Sequence, residues 1–364
     1  MSKGIAVLVV GAGNFGKNYP DIISRLNSQN WHNSIVNCEM PWIDTVVITR
    51  TDVDAAKDMA KQLAIKYSND PTHNCRPRIE GECVGNLADL EGVIEKHNIR
   101  FTVIAAKDSI LGNRVHVGQS MMALNYGSVL CEKPFTDATG DGGSIDAING
   151  IIGLEQSLNT SGYKFGLQLP LVQMGMALME NEHVKRHLEL LPEIKIHYSS
   201  PRSTPEGVVN DLLIHAWSLL PSEYEYSVED HHISSGRRHV FEIKGSTMNP
   251  ERKISAQIIL TPGGNFRGMS IGGYLYGLKS SPRGITEAIN MTGISFDDAA
   301  EIDNDSITNY ALESRCSPIR IENPLKENII ASLKGSPATD SYHARRSQIF
   351  LEQAFGYRGE IDKI

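Results

Sequence analysis

The feature that most limits the fold of this chain is a short apolar run followed at once by closely spaced glycines. Ile5–Val10 has the length of one buried strand, and residues 11–16 read GAGNFG before a helical pattern begins. Glycine permits a tight turn and a close approach of the backbone to a phosphate, whose charge the free N–H groups of the following helix attract. A glycine pattern alone also fits an ordinary turn. Its place directly after a strand, with a further strand downstream, favours a nucleotide-binding turn.

Strands and helices alternate through the first third of the chain. The predicted strands are Thr45–Thr49, Phe101–Ala106 and Val129–Cys131, and the predicted helices are Asp54–Lys66, Leu87–His97 and Val115–Asn125. This alternation predicts a doubly wound parallel sheet with right-handed crossovers. Two polar segments, Asn27–Trp42 and Ser68–Gly85, are longer than simple connections require, and the sequence assigns them no role.

The stretch at residues 128–135, SVLCEKPF, ends the last of these predicted strands. Glu132, Lys133 and Pro134 come where the apolar run stops. Ligands of an open parallel sheet bind beyond the carboxyl ends of its strands, and a proline restricts the backbone of the residue before it. We therefore expect Lys133 to be aimed at a bound substrate or cofactor.

Beyond residue 136 the pattern changes. A helical segment at Asp146–Leu158 and a strand at Tyr163–Leu169 come first, and from Glu193 the chain is rich in β-prone runs, which read EIKIHYS, RHVFEIK, KISAQIIL and MSIGGYLYG. Long strands without intervening helices indicate a mostly antiparallel sheet. Two predicted helices, Pro324–Lys334 and His343–Phe355, close the chain.

One helix-like segment, Val208–Leu220, interrupts this second part. Asp211 and His215 are four residues apart, so a helix places them on one face, one turn from each other. In one interpretation Asp211 only orients a core histidine. In the other, His215 with Asp211 beside it transfers a proton, since histidine titrates near neutral pH. The spacing alone does not choose between them.

Composition limits the classes of partner and compartment. A net charge of -8 and a pI near 5.9 over 364 residues give no general attraction to nucleic acid or to an anionic membrane. The chain begins with a strand rather than a signal peptide, and no apolar run approaches the length of a membrane span. Five scattered cysteines do not make a disulfide framework. We expect a cytoplasmic protein.

No metal site is expected from the sequence. His73, Cys75 and Cys83 lack the paired spacing of a zinc motif. His231 and His232 are adjacent, so on a strand they point to opposite faces and cannot share one ion.

Taken together, the N-terminal GxGxxG, the strand-terminal Glu-Lys-Pro and the later Asp-x-x-x-His resemble the glucose-fructose oxidoreductase / inositol dehydrogenase (Gfo/Idh/MocA) family. The order and spacing of the motifs extend the resemblance through most of the chain. It implies an α/β fold in which residues 1–135 form a Rossmann dinucleotide-binding domain. Residues 136–364 would form an α/β domain whose large, mostly antiparallel open sheet binds substrate and serves in oligomerisation.

The resemblance also implies a set of catalytic residues, namely Lys133, Asp211 and His215. The family chemistry is hydride transfer between C4 of a nicotinamide and a substrate carbon that bears a hydroxyl. His215 would then be the acid/base, and Lys133 would hydrogen-bond the substrate or the nicotinamide ribose and stabilise negative charge on oxygen. Asp211 would orient the substrate or His215.

The expected cofactor is NADP, with NAD as the alternative. An NAD site normally has an acidic residue at the end of the second strand, where this chain has Arg50 and Thr51. Arginine suits a phosphate, although Arg50 could instead stack on adenine while Asp52 or Asp54 reaches the ribose. The residues expected to contact the cofactor are Gly11, Gly13, Asn14, Phe15, Gly16, Arg50, Thr51, Ala106, Lys107, Glu132 and Lys133.

Three questions stay open at this level. Many family members have another acid three positions after the histidine, where this chain has Ser218, preceded by Trp217. That departure puts a sugar or cyclitol substrate in doubt and leaves an imine or a non-sugar carbonyl metabolite as the alternative. A non-catalytic protein that senses the cofactor is a further alternative, because fold does not fix function. The β surface of the second domain predicts a homodimer or a homotetramer.

Overall fold

The structure of the protein is a computed structural model. It describes residues 4–13, 16–33, 41–68, 76–107, 112–201, 203–204, 207–234, 237–247, 252–280, 286–291, 293–296, 307, 317–321 and 323–361. The chain divides into two compact units. The first contains Met1–Asp137, Ser144–Gln168 and Lys326–Arg345, and the second contains Ala138–Gly143, Leu169–Leu325 and Arg346–Ile364. The predicted domain boundary at residue 135 lies close to Asp137, where the chain first passes from one unit to the other. The prediction did not include the two later segments that belong to the first unit.

The first unit contains a doubly wound parallel sheet, as predicted. Its strands are β1 (Ile5–Val10), β2 (Ile43–Arg50), β3 (Arg78–Cys83), β4 (Ile99–Ile104), β5 (Ser128–Glu132) and β6 (Phe165–Gln168). They form one six-stranded sheet in the order β3-β2-β1-β4-β5-β6, with parallel pairing throughout. The strand order reverses between β1 and β4, so the switch point at which such sheets bind ligands lies at the carboxyl ends of these two strands.

The helices of the first unit follow the strands in alternation. They are α1 (Asn18–Asn33), α2 (Val53–Ser68), α3 (Leu87–His97), α4 (Val115–Leu124) and α5 (Gly143–Ser157), with a short 3₁₀ turn at Asn159–Ser161. Helix α3 shows why its ends were predictable. Asn86 caps it by accepting a hydrogen bond from the Asp89 N–H, and Asn98 ends it in the left-handed region at φ 51°. An N-cap of this kind contributes about 1 kcal/mol to helix stability.

Two strands of this sheet were not predicted in their places. β3 lies inside the segment Ser68–Gly85, where no element was expected, because its side chains are half-buried or exposed and give no apolar alternation. Gly81 of this strand passes so close to α2 that a Cβ there would lie 2.5 Å from a backbone atom of Ala56. β6 was expected in the second domain, but it pairs in parallel with β5, Phe165 opposite Val129. A strand was predicted at Tyr163–Leu169 and is found as the shorter Phe165–Gln168, whereas its partner depends on the chain's return to the sheet edge.

The second unit contains the predicted, mostly antiparallel sheet. Its strands are β7 (Glu193–Ser200), β8 (Glu225–Ser234), β9 (Arg238–Ser246), β10 (Lys253–Pro262), β11 (Arg267–Ile271), β12 (Tyr274–Ser280), β13 (Thr286–Asn290) and β14 (Ile319–Ile321). They lie in the order β14-β13-β12-β11-β7-β10-β9-β8, and only β7 and β10 pair in parallel among the described strands. The helices of this unit are α6 (Val172–Glu180), α7 (Glu182–Leu190) and α8 (Val208–Trp217). Of the two C-terminal helices, α9 (Pro324–Leu333) belongs mostly to the first unit and α10 (Ser341–Ile361) mostly to the second.

Burial alternates along the central strands of this second sheet. On β10, Ile254, Ile258 and Leu260 are buried, whereas Lys253 and Ser255 are exposed. One face of the sheet is therefore core, and the other has polar positions along this strand. The predicted homodimer or homotetramer stays a prediction.

A search of the helices in the described part of the chain found none with both the length and the apolar character that crossing a membrane requires.

Candidate functional site

The glycine turn lies at the switch point of the first sheet. Gly11 follows β1 at φ +78°, and a Cβ there would lie 2.3 Å from the Cα of Ala106, which follows β4. A Cβ on Gly16 would lie 2.3 Å from the carbonyl oxygen of Gly11. These positions therefore require glycine, because the turn folds back on itself and against the end of β4. Asn14 and Phe15, predicted to contact the cofactor, lie outside the described residues.

Gly13 differs from the other two glycines of the motif. Among the described residues, a Cβ on Gly13 would have no neighbour closer than the Gly11 carbonyl oxygen at 3.9 Å, an ordinary van der Waals distance. The packing of the described residues therefore does not require glycine there. That is the arrangement expected where a backbone must come close to a pyrophosphate. The geometry of the described glycines thus fits a dinucleotide.

The end of β2 carries the positive charge of Arg50. Arg50 is half-buried, and its guanidinium makes no ion pair or hydrogen bond within the described residues. Asp52, the first acid after the strand, uses Oδ1 to accept from the N–H groups of Asp54 and Ala55 at 2.9 and 3.1 Å. Asp52 therefore caps α2, and this contact occupies one of its carboxylate oxygens. Thr51 is exposed beside Arg50.

Glu132, at the end of β5, is held by the protein itself. The Tyr19 hydroxyl of α1 donates to Glu132 Oε1, and the Lys133 N–H donates to Oε2 at 3.2 Å. Both Tyr19 and Glu132 are buried. Burial raises the pKa of Glu132 to about 7, more than the hydrogen bond from Tyr19 and the charge of Lys133 lower it. The Glu132 carboxyl group therefore connects α1, which follows the glycine turn, to the end of β5 directly before Lys133. Sequence patterns gave no sign of Tyr19, because its partner is 113 residues away.

This raised pKa predicts that Glu132 makes the protein less stable as the pH rises. Between the ordinary glutamate pKa of 4.5 and the folded value of about 7, the folded chain binds the proton more tightly than the unfolded chain. The free energy of unfolding should therefore fall over this interval, by on the order of 3 kcal/mol at 1.36 kcal/mol per unit of pKa. Glu132→Gln should abolish that fall. Denaturant unfolding at pH 5 and pH 8 measures it.

The matched control for this measurement is Glu189→Gln, at an exposed position of α7. It should keep the pH dependence of the unchanged protein. Parallel stability curves for Glu132→Gln and the unchanged protein would contradict the proposed titration of Glu132.

The remaining predicted residues of the first unit lie at the carboxyl ends of β4 and β5. Ala106 and Lys107 follow β4, the first half-buried and the second exposed. Lys133 is half-buried directly after β5, and the Lys133–Pro134 peptide bond is cis. The structure thus brings the ends of β1, β4 and β5, with the residues predicted there, to one edge of the sheet.

In the second unit, α8 forms where the sequence predicted it. Asp211 is exposed in its first turn and accepts a hydrogen bond from the Ser203 hydroxyl at 3.4 Å. His215 is half-buried, and its ring stacks on that of Tyr198 with centroids 5.7 Å apart and planes 12° from parallel. The Arg267 guanidinium lies over the same tyrosine ring, 5.1 Å from its centroid. Tyr198 and Arg267, which the sequence did not single out, support the histidine.

Trp217 and Ser218, the residues that put a sugar substrate in doubt, both have packing roles. Trp217 is buried against Phe350, with ring centroids 6.3 Å apart. Ser218 is buried and donates its hydroxyl to the His215 carbonyl oxygen at 2.7 Å. Their identities therefore say little about the substrate.

One group of potential metal ligands occurs among the described residues, at Glu80, Glu82 and His97. Arg78 contacts Glu80 and Lys96 contacts Glu82, each at 2.6 Å. These cations already balance the two carboxylates, so the group is an ion-pair network between β3 and the end of α3.

Comparison of the fold with solved structures gives matches over nearly the whole chain. A Gfo/Idh/MocA family oxidoreductase from Vibrio cholerae has a TM-score of 0.55 at 10% identity over 99% of both chains. An oxidoreductase from Pseudomonas syringae has a TM-score of 0.51 at 11% identity, over 99% of this chain and 98% of its own. The WlbA dehydrogenase from Bordetella pertussis, solved with NADH and UDP-GlcNAcA, has a TM-score of 0.50 at 14% identity, over 100% of this chain and 98% of its own.

By sequence, no protein-family model and no curated protein matches the chain. The structural matches have low identity, so what they establish is the fold. The chain has the fold of the Gfo/Idh/MocA family oxidoreductases, as the order of its motifs predicted.

Proposed function

We propose that the protein is an NADP-dependent oxidoreductase that transfers a hydride between nicotinamide and a hydroxyl or carbonyl carbon of a small polar metabolite. The observation on which the proposal depends is the glycine turn at the switch point. Packing requires glycine at positions 11 and 16, whereas a Cβ on Gly13 would meet no close neighbour among the described residues. Lys133 follows a strand at the same edge of the sheet. The solved dehydrogenase of the same fold that holds NADH agrees with a nicotinamide cofactor.

Each unit supplies residues with a defined task in this reaction. The bound nicotinamide would supply the hydride acceptor or donor. Lys133 hydrogen-bonds the reacting oxygen and stabilises the negative charge that develops on it, as fixed positive groups do in a water-poor site. His215 takes the hydroxyl proton during oxidation and returns it during reduction. Asp211 orients the substrate or His215.

The ring stack in the second unit supports the role of His215. A histidine that transfers a proton must keep one orientation, and the Tyr198 ring parallel to it limits rotation of the imidazole. Asp211 is exposed, and within the described part of the chain its carboxylate accepts one long hydrogen bond, from Ser203, so that it has acceptor capacity left for a substrate hydroxyl.

The substrate class follows less directly. Ser218 supplies no carboxylate for a sugar hydroxyl, but the exposed Asp211 can, so a polyhydroxylated metabolite is the first candidate. A screen of polyols, sugar derivatives and imines, with oxidised and reduced cofactor, tests the proposal. Turnover of an imine alone would favour the alternative reductase, and no turnover by a protein that binds the cofactor would favour a regulatory role.

The choice of NADP depends on the end of β2. The guanidinium of Arg50 has no protein partner within the described residues, and an arginine there can bind a phosphate through two parallel hydrogen bonds. In the NAD alternative, Asp52 would hold the ribose hydroxyls, but its Oδ1 is used to cap α2. The charge available at this position is therefore positive, which favours the cofactor with a 2′-phosphate.

The expected result is a roughly 10- to 150-fold tighter binding of NADPH than of NADH. This range corresponds to a charge-assisted contact of about 1.5–3 kcal/mol. Arg50→Ala should remove the preference by weakening NADPH alone. Fluorescence titration of both reduced cofactors measures it.

The matched control is Arg78→Ala, the same substitution at the amino end of the neighbouring strand β3. Strands β2 and β3 are parallel, so Arg78 lies at the opposite edge of the sheet from Arg50. This variant should keep the preference. Equal affinities of the unchanged protein for the two cofactors, or tighter NADH, would show that Arg50 does not bind a phosphate.

A further inference from the structure

A buried histidine connects the two loops that follow β4 and β5. His116 lies in the first turn of α4 and is only 2% exposed. Its Nε2 is 2.5 Å from the carbonyl oxygen of Ala106, and its Nδ1 is 3.1 Å from that of Pro134. Sequence analysis had not assigned this residue to the site. One ring therefore touches both strand ends on which Lys107 and Lys133 are carried.

The two acceptors decide what this histidine does. A histidine that only fills a core needs one partner for its single N–H, and a carbonyl of its own helix can supply it. His116 instead faces two backbone carbonyls from different loops, and those strands run side by side with Ile104 opposite Cys131. Burial lowers the pKa of His116 although both carbonyls oppose this, so the neutral ring is favoured: its one N–H donates to one of the two carbonyls, and the ring fills the space up to the other.

A ring held between two loops fixes the distance between them. Both carbonyls belong to residues next to predicted ligand-contacting side chains, Lys107 on one side and Lys133 on the other. A displacement of about 1 Å in such a constellation can cost roughly 100-fold in rate. An apolar side chain of similar size would fill the space but would leave the accepting carbonyl without its donor, and the loops could then separate.

We propose that His116 is a positioning residue that holds the Ala106–Lys107 and Lys133–Pro134 loops at the spacing required by the nicotinamide end of the dinucleotide. The inference rests on the proposed function, because it concerns the same site. It does not make His116 a catalytic residue, since its ring nitrogens are directed at protein carbonyls. Its effect on the cofactor acts through the backbone of the two loops.

The experiment compares His116→Leu and His116→Gln with the unchanged full-length protein. Leucine retains much of the volume without a donor, and glutamine restores one donor. Titration with NADPH and NADH should give roughly 2- to 13-fold weaker binding for His116→Leu, since one net hydrogen bond is worth roughly 0.5–1.5 kcal/mol. His116→Gln should recover part of it. The loss should appear as a higher KM for the cofactor together with a lower kcat, because both loops move.

A second readout does not depend on a bound cofactor. Hydrogen exchange of the free protein should be faster in His116→Leu at residues 104–107 and 132–136, and unchanged in the strands themselves. Ser120→Ala is the matched control, because Ser120 is fully buried one turn further along α4. Ser120→Ala should change the free energy of unfolding without weakening the binding of either cofactor or increasing hydrogen exchange in the two loops.

The outcomes separate this inference from the proposed function. Binding of both cofactors by His116→Leu as tightly as by the unchanged protein, with unchanged exchange in the loops, would overturn the role of His116. Equal weakening by His116→Leu and Ser120→Ala would also overturn it, since any loosening of α4 would then suffice. If the unchanged protein binds neither cofactor, the proposed function fails, while the exchange data still decide whether His116 holds the loops.

Discussion

Replacing Lys133 by methionine is expected to reduce turnover roughly 10²- to 10⁴-fold while the dinucleotide still binds. Electrostatic and acid/base groups typically contribute this much to a reaction. Methionine keeps most of the volume of the lysine and removes its charge, so the half-buried position after β5 should stay filled. The measurement pairs kcat, with any substrate from the polyol, sugar and imine screen that the unchanged protein converts, with NADPH affinity by fluorescence.

The same substitution elsewhere in the sheet provides the control. Lys164 directly precedes β6, which is parallel to β5, so it lies at the opposite edge of the sheet from Lys133. Its ammonium group is 3.8 Å from Glu155 and substantially exposed, and such a pair is worth at most about 1 kcal/mol of stability. Lys164→Met should turn over normally. Near-normal turnover of Lys133→Met as well would remove the role assigned to Lys133 and favour the regulatory alternative.

Features that depend on the backbone itself were predictable from the sequence. The strand Ile5–Val10 and the glycine turn were both found where they were predicted, because only glycine can occupy Gly11 at φ +78° against the end of β4. The helix predicted near Leu87–His97 was found there, and an asparagine caps each of its ends. The alternation of His231 and His232 was also correct, with His231 buried and His232 exposed on β8.

Features that depend on a distant partner were not predictable. β3 has no apolar pattern because its stability comes from its ladder with β2 and from the close approach of Gly81 to α2. The sheet membership of β6 depends on pairing with β5, which length and composition do not encode. The same holds for the site, where the partners of Glu132 and His215 come from α1 and β7. Short sequence motifs identify candidate site residues, but the residues that contact them and hold them in place lie far away in the sequence.

The position of His116 shows where prediction from the sequence stopped. His116 is a buried, hydrogen-bonded histidine in the first turn of α4. Which carbonyls accept from the ring could not be read from spacing, because Ala106 and Pro134 precede and follow α4 in the chain. The contacts of the His116 ring with both loops are therefore seen only in the structure.

Replacing His215 by asparagine is expected to reduce turnover by a similar factor, roughly 10²- to 10⁴-fold, and to change its pH dependence. In the oxidation direction the base must be neutral to accept the hydroxyl proton, so protonation of histidine at low pH lowers the rate. Asparagine fits the helix and forms hydrogen bonds but does not titrate in this range. The acid limb of the profile of kcat/KM against pH should therefore flatten in His215→Asn.

Two comparisons make this result specific to proton transfer. NADPH affinity should be unchanged, since the cofactor-contacting residues proposed above all belong to the first unit. Ser218→Ala is the matched control, because Ser218 is buried directly after α8 and its hydroxyl donates only to the backbone carbonyl of His215 among the described hydrogen bonds. It should retain the acid limb, even if the rate falls a little as the end of the helix loosens. An unchanged acid limb in His215→Asn would mean that another group accepts the proton, and the stacked ring pair of Tyr198 and His215 would then serve packing alone.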